Sequence, residues 1–178
     1  MPMSDDLAQI ITGCQQGDEQ CFARLVDLYS GRLYGYFYRL TGNRDVSDDL
    51  LSELYVKLVE KIASYKGGAF EGWLFKIASN LFHDYIRNKQ RQKKLLEAQR
   101  TRIEIDIHER RQSEIEPIDV LQKQLERLDS DTRELIVLRF YSQLSFKEIA
   151  HLRSEPIGTT LAKTHRGLKK LRGLMKGL

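Results

Sequence analysis

The sequence of 178 residues has few cysteines and prolines and no long apolar run. Its two cysteines, Cys14 and Cys21, are too few for a disulfide framework and lack a metal-ligand pattern, so we interpret them as small core or boundary residues. Without a stretch of about 18 apolar residues, no membrane insertion is expected. The amino-terminal segment MPMSDDLAQI also lacks the basic and apolar regions of a secretory signal. We therefore expect a cytoplasmic protein.

The excess of positive charge is small but clustered. The formal net charge is +4. Seven Lys or Arg and one acid lie between Arg87 and Arg102, and six Lys or Arg and no acid lie between Lys163 and Lys176. A block with six acids, from Glu104 to Asp119, separates them. Basic clusters of this kind indicate contact with a polyanion.

The hydrophobic pattern is typical of helices. Apolar residues recur at spacings of three and four, whereas strand-like alternation is scarce. The predicted helices lie near 7–13, 19–41, 46–63, 70–91, 118–127, 131–141, 145–152 and 157–175. Apolar content falls between Gln92 and Pro117, which predicts a charged linker. The expected fold is all-α, with one small helical domain at 1–92, the linker at 93–117 and a second domain at 118–178.

The last predicted helix has an apolar stripe and a basic face. The stripe, which we expect to be buried, contains Ile157, Leu161, Thr164, Leu168, Leu171 and Met175. The basic face opposite it contains Thr159, Ala162, Lys163, Arg166, Lys169 and Lys170. Such cations can neutralise phosphates, and short side chains allow a close approach to base edges. A short helix and a turn precede this helix, which predicts a DNA-binding helix-turn-helix; a solvated charged face is the alternative.

The helix predicted from Phe70 keeps only a narrow polar surface between two apolar stripes. This polar seam contains Lys76, Asn80, His83, Arg87 and Arg91. Asparagine can pair with adenine and cations with phosphate, so the seam suits a nucleic-acid strand. For Asn80 and His83 taken alone, solvent exposure explains the pattern equally well. The preceding loop YKGGAFEGW could stack an unpaired base, although turn chemistry also accounts for its glycines.

The helix predicted over 46–63 presents acids opposite its apolar face. This acidic patch contains Asp48, Asp49, Ser52 and Glu53. Asp49 and Glu53 lie one turn apart and could hold a divalent cation, but a second acidic motif to face them is missing. A docking surface for a basic partner, or a plain solvated face, is favoured. No metal or other cofactor is expected.

Four segments in order resemble the extracytoplasmic-function group of bacterial sigma factors, which are two-domain members of the sigma-70 family. GDEQCFARLVDLYSGRLYGYFYRLTGN is similar to the family's first conserved region, and VSDDLLSELYVKLV to its polymerase-docking segment. YKGGAFEGWLFKIASNLFHDYIRNKQR resembles the segment that melts the promoter and recognises the minus-ten element. The segment from Leu128 to Arg172 resembles the domain that binds the minus-thirty-five element.

The resemblance implies a role for each surface. The acidic patch would bind core RNA polymerase, the polar seam the minus-ten strand, and the basic face the minus-thirty-five duplex. The loop residues that would capture a base are Gly67, Gly68, Ala69 and Phe70. The acidic linker would pass through the polymerase towards the RNA exit path. Expected partners are core polymerase, promoter DNA and an anti-sigma factor or other regulator, and the chain itself would not be an enzyme.

Several positions depart from the family pattern. Ser52 stands where glutamine is usual, the base-capture loop is about one residue shorter, and Thr160 and Leu161 replace valine and lysine. Because Leu161 belongs to the apolar stripe, we expect it to be a core residue. The turn contains Glu155 and Pro156, of which the proline suits a first helical turn and the acid complements the helix dipole.

Two other classes of protein remain open. A self-contained DNA-binding regulator would share the helix-turn-helix but would not need an acidic docking helix beside a strand-binding seam. A metal-dependent helical enzyme would need a second cluster of carboxylates. The first domain therefore discriminates among these hypotheses and favours a subunit that confers promoter specificity on RNA polymerase.

Overall fold

The computed structural model describes residues 4–100 and 120–176, and these form two helical domains. The first domain contains α1 (Ser4–Gln15), α2 (Glu19–Thr41), α3 (Arg44–Lys61), a 3₁₀ turn (Ile62–Ser64) and α4 (Phe70–Arg100). The second contains α5 (Val120–Glu126), α6 (Ser130–Ile136), a π-helical turn (Val137–Tyr141), α7 (Phe146–Arg153) and α8 (Ile157–Lys176). The predicted all-α fold is confirmed. In the described ranges, no helix is both long and apolar enough to cross a membrane.

Side-chain caps fix the ends of α2 and α3. The carboxylate of Asp18 accepts hydrogen bonds from the backbone N–H groups of Gln20 at 2.8 Å and Cys21 at 3.1 Å. Helix α2 ends at Gly42, whose φ of 65° is left-handed and therefore favours glycine. Asn43 then caps α3 by accepting from the N–H of Val46 at 3.0 Å. The close spacing of these caps reverses the chain, so that α3 packs against α2.

Helix α4 is longer than predicted. The expected end near residue 91 is wrong, because α4 continues to Arg100. Residues 93–98 read KKLLEA, and these are all strong helix formers. The first part of the predicted linker at 93–117 is therefore helical, while its remainder, including the acidic block, lies outside the described residues.

The two domains are not separate in their packing. One apolar cluster contains residues of α1 to α4 together with residues of the second domain, namely Leu135, Val137, Leu138, Leu144, Ile149 and Leu152. Phe75 of α4 is fully buried, and its ring meets that of Tyr36 edge-on with centroids 5.5 Å apart. A smaller cluster inside the second domain contains Leu125, Leu128, Ile136 and Leu171. Helix α4 packs on α7, and α2 packs on the π-helical turn.

Helices α7 and α8 form the predicted helix-turn-helix. Ser145 and Glu148 make a capping box at the start of α7, with the hydroxyl of Ser145 accepting from the backbone of Glu148 at 3.2 Å. Helix α7 ends at Ser154, which has a left-handed φ of 52°. Two residues later Pro156 precedes α8, where a missing N–H costs no helical hydrogen bond.

The expected buried stripe of α8 is only partly right. Thr164 and Leu171 are buried and Leu168 is half-buried, as predicted, but Ile157, Leu161 and Met175 are exposed, and Thr160 and Gly167 are buried in their place. The reason is the close approach of α8 to α6. A Cβ on Gly167 would lie 2.6 Å from Cγ2 of Thr132, so only small residues fit at the centre of this contact.

Candidate polymerase and nucleic-acid interfaces

The acidic patch lies on the solvent face of α3. Asp48, Asp49, Ser52 and Glu53 are all exposed, because Leu50, Leu54 and Leu58 point into the core. Two apolar side chains extend this face, Val56 with 58% and Val59 with 59% of its surface exposed. Sequence reasoning missed these valines, although their spacing from Ser52 and Glu53 could have indicated them. Among the described residues, no group of three or more His, Cys, Asp or Glu could hold a metal ion.

The loop before α4 depends on two glycines for its shape and borders a cavity. Gly67 and Gly68 have φ values of 95° and 100°, which few residues other than glycine adopt. The hydroxyl of Tyr65 donates to the carbonyl of Gly68 at 2.8 Å and holds this shape. The cavity has a volume of about 600 Å³ and is lined by the loop, by α1 and by Glu71 and Glu148.

Phe70 differs from the other predicted base-capture residues. Gly67, Gly68 and Ala69 are exposed, but Phe70 is only 4% exposed. Its ring packs against those of Tyr29, Tyr65 and Trp73, with centroids 5.3 to 5.8 Å apart. The ring of Phe70 therefore packs under the loop against other aromatic rings and has no free face on which a base could stack.

The structure divides the polar seam into two parts. Asn80, Arg87 and Arg91 are exposed and share one side of α4. Lys76 and His83 instead contact the second domain, where the amino group of Lys76 donates to the carbonyl of Leu152. The sequence pattern could not indicate this division, because the partners lie more than 50 residues further along the chain.

Glu134 of α6 is the centre of the contact between the domains. Its carboxylate is fully buried and accepts from the hydroxyls of Tyr36 at 2.7 Å and Ser79 at 2.6 Å. It also bonds Nε2 of His83 at 2.9 Å and accepts from Arg153 at 2.8 Å. Burial alone would raise the pKa of Glu134, but the hydrogen bonds from His83, Ser79 and Tyr36 outweigh it and lower the pKa. Glu134 is thus a buried anion held by groups of both domains, and sequence reasoning missed it.

The imidazole of His83 should titrate at a higher pH than an ordinary histidine. Its hydrogen bond to Glu134 raises its pKa above 6.5, with Asp131 adding to the effect and burial and Arg153 opposing it. A raised pKa means that protonated His83 stabilises the contact fully below pH 6.5, and that this contribution is lost as the pH rises through the higher value. Histidine NMR titration of the wild type and of Glu134→Gln would measure the shift. A pKa at or below 6.5 in the wild type would contradict the prediction.

The basic face of α8 is exposed except at Lys163. Thr159, Ala162, Arg166, Lys169 and Lys170 are open to solvent. Lys163 is half-buried, and its amino group contacts the carboxylate of Glu155 at 2.6 Å. Glu155 also accepts from the hydroxyl of Thr160 at 2.9 Å and lies 3.5 Å from Nε of Arg153. The acid in the turn therefore joins α7 to α8, and the prediction that Lys163 lies on an exposed face is corrected.

Comparison with known proteins shows the family to which the chain belongs. A model of sigma-70 region 2 matches residues 25–92, and a model of sigma-70 region 4 matches residues 118–171. The ECF RNA polymerase sigma factor SigW of Bacillus subtilis is 30% identical over 176 residues, which cover 92% of this chain and 94% of that protein. The chain belongs to the ECF group of the sigma-70 family. It is a sigma factor that directs transcription initiation.

Other relatives of this ECF sigma factor share both domains. The ECF RNA polymerase sigma-E factor of Haemophilus influenzae is 26% identical, with 95% of each chain covered. RpoE of Bartonella quintana, solved in complex with the anti-sigma factor NepR, is similar with a TM-score of 0.72 and 25% identity, covering 87% of this chain and 96% of that one. CnrH, solved with the cytosolic domain of CnrY, is similar with a TM-score of 0.70, and the match covers 94% of this chain and 96% of CnrH. Because the identity is only 19%, this likeness supports the fold alone.

The exposure of Leu161 in this ECF sigma factor reverses the expectation for its substitution. Leu161→Lys should change the free energy of unfolding by no more than about 0.5 kcal/mol, because 44% of the side chain is exposed. Leu171→Lys, the matched control on the buried side, should lower it by about 2–5 kcal/mol, since packing is lost and a charge enters the core. Urea unfolding of both full-length variants measures the difference. An equal loss of stability in both variants would mean that Leu161 is buried, as the sequence predicts.

Proposed function

We propose that three surfaces of this sigma factor have separate binding roles in transcription initiation. The acidic patch of α3, extended by Val56 and Val59, binds core RNA polymerase. The exposed seam residues Asn80, Arg87 and Arg91, with the loop Gly67–Ala69, hold the separated minus-ten strand. The basic face of α8 reads the minus-thirty-five duplex, and there Lys163 acts indirectly by holding Glu155.

The observation that supports the strand-binding role best is the arrangement on α4. Asn80, Arg87 and Arg91 lie at spacings of seven and four, which places one amide and two cations on a single side of the helix. The glycine loop lies at the amino-terminal end of the same helix. A single strand needs cations for its phosphates and donors for its unpaired base edges, and this surface offers both.

The basic face of α8 fits a duplex groove in a similar way. Arg166, Lys169 and Lys170 carry positive charge, while Gly158 and Ala162 leave room for the backbone to come close to base edges. Leu161 is exposed beside them and adds an apolar contact surface. In this proposal Leu161 faces the DNA and can contact a thymine methyl group.

The similar structures also suggest a regulator. RpoE of Bartonella quintana was solved with an anti-sigma factor, and CnrH with the cytosolic domain of CnrY. We propose that this sigma factor likewise binds an anti-sigma protein and acts in the cytoplasm. Sigma factors are transcription regulators rather than catalysts, and we propose that this chain uses no cofactor and catalyses no reaction itself.

Asn80→Ala should reduce promoter melting more than it reduces binding to closed duplex. Loss of one base-edge contact should cost about 1–3 kcal/mol in open-complex formation. Asn88→Ala is the matched control, because Asn88 is also exposed on α4 but lies about 100° around the helix from Arg87 and so outside the seam. Permanganate reactivity of thymines in the melted region, with core polymerase present, measures the effect. Wild-type reactivity in the Asn80→Ala complex would mean that the seam is not part of the strand-binding surface.

A further inference from the structure

The second domain contacts one continuous stripe of α4. Gly72, Lys76, Ser79 and His83 follow each other at spacings of four, three and four, and each meets a residue of the second domain. A Cβ on Gly72 would lie 3.8 Å from Cβ of Glu148. Lys76 donates to Leu152, while Ser79 and His83 bond Glu134. The stripe borders the exposed seam residues, so the second domain lies against the proposed strand-binding surface.

The groups of the first domain that surround Glu134 form a ready anion site. Tyr36, Ser79 and His83 come from two helices and direct three polar groups at one carboxylate. Tyr36 is fully buried and Ser79 is 4% exposed, so neither hydroxyl is satisfied by solvent in this arrangement. Carboxylate and phosphate oxygens accept the same kinds of hydrogen bond. If the domains separated, these three groups would lose the anion that they hold.

We propose that Tyr36, Ser79 and His83 bind a phosphate of the separated promoter strand, and that Glu134 occupies this site while the two domains are packed together. The proposal rests on the assignment of α4 to the minus-ten strand. Glu134 then acts as an internal competitor of the DNA, and the closed arrangement is self-occluded. Strand binding requires the domains to separate, so the apparent affinity for a single strand is reduced by the small fraction of open molecules.

A disulfide between α4 and α7 tests the occlusion directly. The Cβ separation of 3.8 Å at Gly72 and Glu148 equals the mean found in disulfides, about 3.8 Å. Gly72→Cys with Glu148→Cys, in a chain carrying Cys14→Ala and Cys21→Ala, should therefore lock the domains when oxidised. The probe is a fluorescent single-stranded DNA of about 16 nucleotides in mixed sequence, measured by anisotropy. Reduction of the same protein is the matched control.

The oxidised protein should bind this DNA at least about tenfold more weakly than the reduced protein, because the open state is no longer populated. Equal binding by the two forms, including no binding by either, overturns the proposal. Run-off transcription with core polymerase separates this result from the broader function. If neither the reduced nor the oxidised protein gives transcripts, the proposed roles of the three surfaces in initiation are wrong too.

A second variant tests the role of the carboxylate. Glu134→Gln keeps the size of the side chain but removes its charge. The variant should therefore bind single-stranded DNA about tenfold more tightly than the wild type does. Glu19→Gln removes the same charge from an exposed position at the start of α2 and should leave binding unchanged. Adding His83→Ala to Glu134→Gln should weaken binding again. Circular dichroism verifies folding, and a folded Glu134→Gln protein with wild-type affinity contradicts the proposed competition.

Discussion

Core RNA polymerase should no longer retain this sigma factor when Asp49 and Glu53 are both replaced by lysine. Both side chains are exposed on the polar face of α3, so the double variant should remain folded. The change reverses two charges on the proposed docking surface, and like charges across an interface oppose association. Co-purification of the variant with core polymerase measures the effect.

The matched control reverses two acids elsewhere on the same domain. Glu19→Lys with Asp27→Lys makes the same change in net charge at exposed positions of α2. This control should co-purify with polymerase as the wild type does. If the α3 variant also co-purifies normally while its circular dichroism is unchanged, the acidic patch is a solvated face and not a docking surface.

Phe75→Ala should cause the largest loss of stability among single substitutions in α4. Phe75 is fully buried, meets the ring of Tyr36, and lies 5.6 Å from the guanidinium of Arg32. Truncation leaves a cavity at the junction of the two domains, so the free energy of unfolding should fall by about 3–5 kcal/mol. Urea unfolding followed by circular dichroism measures this change.

Phe140→Ala is the control for this prediction. It removes the same side chain from a position that is 55% exposed, so the cost should be only about 0.5 kcal/mol. Similar losses in the two variants would mean that Phe75 is not buried in the apolar core.

Local signals in the sequence predicted the helices well. Asp18, Gly42, Asn43 and Ser145 lie at helix ends, and each acts there through its own side chain or backbone. The end of α4 was harder to predict, because Leu95 and Leu96 are adjacent and exposed and so do not continue the apolar spacing of three and four. The acidic patch could be predicted because its residues share one face of one helix.

Contacts between distant segments could not be predicted in this way. The stripe of α8 was assigned by hydrophobicity, but the contact with α6 is so close that Thr160 and Gly167 are buried and Leu161 is not. An acid within RELIVLRF gives no sign of burial, because its partners Tyr36 and Ser79 lie 98 and 55 residues away. In both cases, tertiary packing and not the local sequence pattern determines which residues are buried.

The most direct test of the central claim is run-off transcription from genomic DNA with purified bacterial core polymerase. The account predicts discrete transcripts that appear only when this sigma factor is added, because the core enzyme depends on a bound sigma subunit to open promoters. The same transcripts should be absent with the Asp49→Lys and Glu53→Lys variant and present with its Glu19→Lys and Asp27→Lys control. Transcripts identical to those of core polymerase alone, from a folded wild-type protein, would contradict the account.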